Sequence, residues 1–175
     1  MNTEQQKETN RIIVCGVLGI ITMVYLALIG CVNVQHFNYK MNSDIGAEAV
    51  LARLIWNSGE MVPSTWISST ETRIIATPQL AALFYGWTGD MNLGLGLACC
   101  VMTTGILLAI WCFMKKAGFR TESCLLMCVL SLALSGNMTI LELLYLFASY
   151  YGIHVITFFF IMNCYVMLIC WSDGE

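Results

Sequence analysis

The chain has 175 residues, of which 58% are hydrophobic and only 11% charged, with a formal net charge of -3 and a mean hydropathy of +0.74. A soluble domain carries about 25% charged residues, so this composition belongs to the membrane class and argues against a soluble domain. Without a basic stripe it also gives no footprint for nucleic acid.

Residues 1–10 are polar. The uncharged run 12–32, IIVCGVLGIITMVYLALIGCV, is 21 residues long and spans about 30 Å as a helix. It reads as a retained transmembrane helix, the alternative being a signal peptide, whose apolar region is shorter and ends at a small-residue cleavage site. In NVQHFNYK after it, His36, Phe37 and Tyr39 suit an interfacial belt.

The segment 41–73 is the most polar long run of the chain and holds Asp44, Glu48, Arg53, Glu60, Glu71 and Arg73. Ser43 predicts a helix N-cap with Asp44 in the first turn. Ala47, Val50, Leu51, Leu54 and Ile55 recur at helical spacing and predict one apolar face. Asp44 and Glu48 are four apart and are expected to share another face. Either the helix N-terminus simply favours acids through its dipole, or the two form a paired-carboxylate site. Asn57-Ser58-Gly59 ends this helix. PSTWISST at 63–70 reads as a loop, with Trp66 available to anchor at lipid headgroups. Thr77-Pro78 predicts a second short helix, a cap followed by proline at the first position. Leu80, Ala81, Leu83 and Phe84 make that helix apolar enough to lie on or in the membrane interface.

The second predicted span is 92–114, followed by Lys115, Lys116 and Arg120 in a short loop. Lys and Arg gather in cytoplasmic loops near span ends. Together with Lys7 and Arg11 this predicts an inside N-terminus and an outer loop over 33–91. Two more spans are expected at about 122–136 and 153–171, separated by a short outer helix at about 138–150 that carries Glu142. The fold class is therefore all-α: a polytopic helical membrane protein of about four transmembrane helices, with two short surface helices in its outer loop. The nine cysteines lie in or beside apolar runs, without C-x-x-C or neighbouring ligands, and read as packing residues.

The runs NSDIGAEAVLARLIW and PSTWISSTETRIIATPQLAALFYGW resemble a group of uncharacterised bacterial multi-pass proteins similar to glycosyltransferases of the GT-C type. The words that match are Ser43-Asp44, Glu48, Trp66, Ser69-Thr70-Glu71, Arg73 and Gln79, with a looser echo in Tyr150-Tyr151-Gly152-Ile153-His154. They cover a minor part of the chain, chiefly the outer loop. What the resemblance implies is a protein of the bacterial cytoplasmic membrane that takes a sugar from a polyprenyl-phosphate carrier to a cell-envelope glycan or lipid. The position matching the catalytic acid is Asp44, with Glu48 one turn on. Trp66, Glu71 and His154 would line the substrate site, and Arg53 or Arg73 would meet the carrier phosphate. Some members bind that phosphate through a divalent metal and others do not. GT-C enzymes have more spans than four, so the chain is expected to be the N-terminal part of a longer enzyme, a truncated product or a small relative. The other readings are a non-catalytic scaffold or assembly subunit, alone or in a homo- or hetero-oligomer, and a small transporter. The uncharged first two spans and the lack of internal repeats speak against the transporter.

Overall fold

A computed structural model describes residues 3–35, 43–67, 76–133 and 148–172. Among these residues the chain is all helical: α1 Thr3–Gln35, α2 Ser43–Ser58, α3 Thr77–Thr88, α4 Met91–Lys116, α5 Thr121–Ala133 and α6 Ala148–Ser172. Two of these helices, α1 and α4, are long and apolar enough to cross a membrane, while α5 and the Ile153–Ile169 part of α6 are shorter apolar helices.

The helix boundaries follow local chemistry. α1 begins well before its apolar run, because Glu4, Gln5, Gln6, Lys7 and Glu8 are good helix formers with no breaker among them. α2 ends at Gly59, whose φ of 71° suits glycine. The start of α3 differs from expectation. Ala76, not Thr77, is the N-cap, and the cap is supplied from inside the helix, where Gln79 Oε1 accepts from the Ala76 amide at 2.9 Å. Gly89, also left-handed, closes α3, and Asp90 opens α4 by accepting from the amides of Asn92 and Leu93. α4 then ends in a Schellman turn. The Phe119 amide donates to the Met114 carbonyl at 3.0 Å and the Gly118 amide to Lys115 at 3.2 Å, with Gly118 at φ 81°.

α4 is the helix the others pack on. Its glycines set how closely they come. A Cβ on Gly96 would run into the backbone carbonyl of Asn33 on α1, and one on Gly94 would stand 3.0 Å from the Ala81 carbonyl oxygen of α3. Gly105 faces Ile156 of α6. These contacts fix directions as well as distances. Asn33 lies at Gly96 near the start of α4 and Arg11 pairs with Glu122 just beyond its end, so α1 and α4 are antiparallel. Ile153 packs near Cys99 and Met102, and Phe113 meets Phe159 at 5.6 Å between centroids, so α4 and α6 run the same way. α5 begins beside Arg11 and ends with Leu132 against Ile29, parallel to α1.

The main apolar core joins α2, α3 and α4 through Ile45, Ala52, Ile55, Ala81, Leu95 and Ala98. By contrast α1 leaves most of its apolar surface open, with Ile12 at 68% and Ile20 and Met23 each at 66% exposure. Among the described residues no cysteine is bridged, and Cys99, Cys124 and Cys128 are buried packing residues.

The short outer helix expected at 138–150, and Glu142 within it, lie mostly outside the described residues, as do His36, Phe37 and Tyr39; residues 148–150 belong to α6.

Candidate functional site

The two acids of α2 differ in surroundings. Asp44 stands exposed in the first turn. Glu48 is 6% exposed and belongs to the buried stripe Ile45, Glu48, Ala52 and Ile55. The expectation that they share an open face is therefore corrected. Side chains four apart diverge by about 40° around a helix, and that offset turns Glu48 under α2 while Asp44 remains at the helix end. The predicted apolar face is rotated too: Val50 is exposed and Ala52 is completely buried. Arg53 is exposed. Five residues separate it from Glu48, which puts it about 140° round the helix, so the two do not converge.

The loop after α2 is tied down from several sides. Ser58 Oγ accepts from the Glu60 amide at 3.2 Å, and Glu60 Oε2 from the Ser64 amide at 3.1 Å. Pro63 is buried, and its carbonyl accepts from the Trp66 amide at 2.9 Å. Gln79 Nε2 donates to the Met61 carbonyl at 3.2 Å. Gln79 thus both caps α3 and holds the loop that presents Trp66, whose side chain is half-buried. Replacing Gln79 with leucine is expected to cost about 1–3 kcal/mol, because the buried Ala76 amide loses its acceptor and the Met61 carbonyl its donor. The measurement is the melting temperature in detergent, with limited proteolysis between Met61 and Trp66. A leucine variant as stable and as protease-resistant as the wild type would remove Gln79 from this role.

The foot of α3 lies at the level of Cys99 and Met102, since Leu80 packs against both, together with Ile153 and Ile156. Several buried polar side chains lie within about one helical turn of this level. Thr77, Gln79 and Thr103 are buried, and Asn33 on α1 is completely enclosed, its Nδ2 3.9 Å from Cys100 Sγ. His154, next to Ile153, is exposed on α6 near the same level. The structure thus brings the first turns of α3 close to the segment around His154, whereas Asp44 and Arg53 are exposed on α2, nine positions and about half a turn apart from each other. Glu71 and Arg73 lie outside the described residues.

Asn33 is the first polar residue after the run 12–32, a position whose polarity signals the way out of the membrane; the structure instead makes it a buried packing contact.

Among the described residues no three His, Cys, Asp or Glu side chains come together as a metal site. Asp44 and Glu48 do not fit a shared cation, because one faces out and the other is packed beneath the helix. Comparison with family models, curated proteins and solved structures finds no match.

Proposed function

We propose that this chain is a multi-pass membrane protein of the GT-C glycosyltransferase type, in which α1, α4, α5 and α6 cross the bilayer and Asp44 is the general base. The observation that supports this most is an exposed carboxylate in the first turn of a helix that lies in sequence between two membrane-length helices and packs on α3 and α4. An exposed acid is open to a hydroxyl group that approaches it. In the reaction, Asp44 accepts the proton of the acceptor hydroxyl. The freed oxygen forms a bond to the anomeric carbon of the sugar, and the bond from that carbon to the carrier oxygen breaks, releasing polyprenyl phosphate.

The distribution of charge supports an inside N-terminus. Lys7, Arg11, Lys115, Lys116 and Arg120 account for five of the eight Lys and Arg residues, and the Arg11–Glu122 ion pair joins their two segments at one end of the bundle. α2 and α3 then stand on the outer side. There Leu83, Trp87 and Ile67 expose apolar surface suited to the headgroup layer.

A second reading, a non-catalytic assembly subunit, is favoured by one observation: Glu48 is committed to helix packing. The two readings separate in membranes carrying the protein. Labelled sugar is expected to pass from a polyprenyl-phosphate donor to envelope glycan or lipid, and a thiol placed by Ser58→Cys should react with an impermeant reagent applied from outside. No transfer from any such donor leaves the assembly reading. Labelling only after permeabilisation reverses the topology and rules out an outer site.

A further inference from the structure

The charged end of the bundle has a geometry of its own. α4 finishes with Lys115 and Lys116, and the Schellman turn at Gly118 fixes the backbone that follows. Phe119 and Arg120 are both exposed on this turn. Lys115 Nζ lies 3.4 Å from Thr121 Oγ1, at the start of α5. The neighbouring acid is Glu122. Its Oε1 accepts from Arg11 and, at 3.2 Å, from Arg120 Nη2. Glu122 is thus already engaged by two arginines, and Arg120 keeps 64% of its side chain exposed. Among the described residues the other acids at this end are Glu4 and Glu8, on α1 with Lys7. Among the described residues Lys115, Lys116 and Arg120 therefore project from one rigid turn with less negative charge around them than positive, and Phe119 sits among them as an apolar anchor.

We propose that this turn is a binding surface for the headgroups of anionic phospholipids in the inner leaflet. The inference rests on the membrane-crossing part of the reading above and is independent of sugar transfer. Three features fit that occupant. The cations lie next to the end of a membrane-length helix, where headgroup phosphates are found. They come from a turn with fixed backbone, so little order is lost on binding. Phe119 can enter the acyl boundary between them. Each Lys or Arg near a charged membrane surface contributes an attraction that falls off within a Debye length.

The test uses the full chain, purified in detergent and mixed with equal amounts of phosphatidylglycerol and phosphatidylcholine, with bound lipids counted by native mass spectrometry. Phosphatidylglycerol should be retained preferentially, and raising the salt should erase the preference. The combined variant Lys115→Gln, Lys116→Gln and Arg120→Gln should lower it by at least about fivefold. Arg11 and Glu122 are left intact to keep α1 joined to α5, and the salt series on the wild type gives a reading even if the variant misfolds. Equal retention of the two lipids by the wild type, or a preference untouched by salt, would overturn the proposal. So would a folded variant with unchanged preference. Release of the chain from membranes by alkaline carbonate would instead sink the membrane reading beneath it.

Discussion

Alanine at Gly96 is expected to lower the stability of the chain by about 2 kcal/mol or more, which for a chain of this size is a drop of roughly 4–8 °C in melting temperature. The reason is geometric. A methyl group there meets the backbone carbonyl oxygen of Asn33, and backbone cannot swing aside as a side chain can. α1 and α4 must separate, and the separation spreads to the contact between Asn33 Nδ2 and Cys100 and to the cluster that holds Ile29, Leu107, Cys128 and Leu132. In a bilayer this loss is not offset by hydrophobic association, because lipid tails are as apolar as the helix surface and close contact itself provides the attraction. Gly16 supplies the control. A Cβ there meets nothing within 4 Å, so Gly16→Ala should be neutral or mildly stabilising through helix propensity. Thermal denaturation of both variants in the same detergent decides it. Equal melting temperatures for the two would mean that α1 does not pack on α4 through Gly96.

The contrast between these two glycines shows which part of the fold the sequence carries in readable form. Run length and charge place α4 within two residues at each end and the apolar part of α1, whose helix starts nine residues earlier, and Ser43, Asn57-Ser58-Gly59 and Thr77-Pro78 mark helix ends close to where they fall, because these signals are local. Which face of a helix packs is a different matter. In a water-soluble helix the apolar stripe marks the interior. Here apolar residues such as Ile20, Val50 and Leu108 are exposed, while Gly96 and Ala52 make the close contacts. Hydrophobicity then no longer separates inside from outside, and the face of α2 predicted from Ala47, Val50, Leu51, Leu54 and Ile55 shares only Ile55 with the buried stripe Ile45, Glu48, Ala52 and Ile55. The same ambiguity hid the difference between Asp44 and Glu48. Their spacing is visible in the sequence, but which of them lies under the helix depends on how α2 is rolled against α3 and α4. Gln79 was legible as a matching word without its task, since the Met61 carbonyl it holds is 18 residues away.

That difference in burial yields the second prediction with a large effect, because catalysis and stability should fall on different acids. Asp44→Asn removes a proton acceptor while preserving shape and hydrogen-bonding capacity. Turnover should fall by about 10²–10⁴-fold, the usual contribution of a positioned base. Stability should stay within about 0.5 kcal/mol, since the side chain is exposed and asparagine is also well tolerated at a helix start. Glu48→Ala should do the reverse. It empties a buried position in the stripe Ile45, Glu48, Ala52 and Ile55 and leaves the groups around the carboxylate without it, at a cost of about 1–3 kcal/mol. Its turnover per folded molecule should change far less than that of Asp44→Asn. Each variant therefore needs two measurements, sugar transfer per folded molecule and melting temperature. If Asp44→Asn turns over like the wild type, Asp44 is not the base. If instead Glu48→Gln abolishes transfer at undiminished stability, the base is the buried acid, and the acceptor must reach it from beneath α2 through the packed side of the helix.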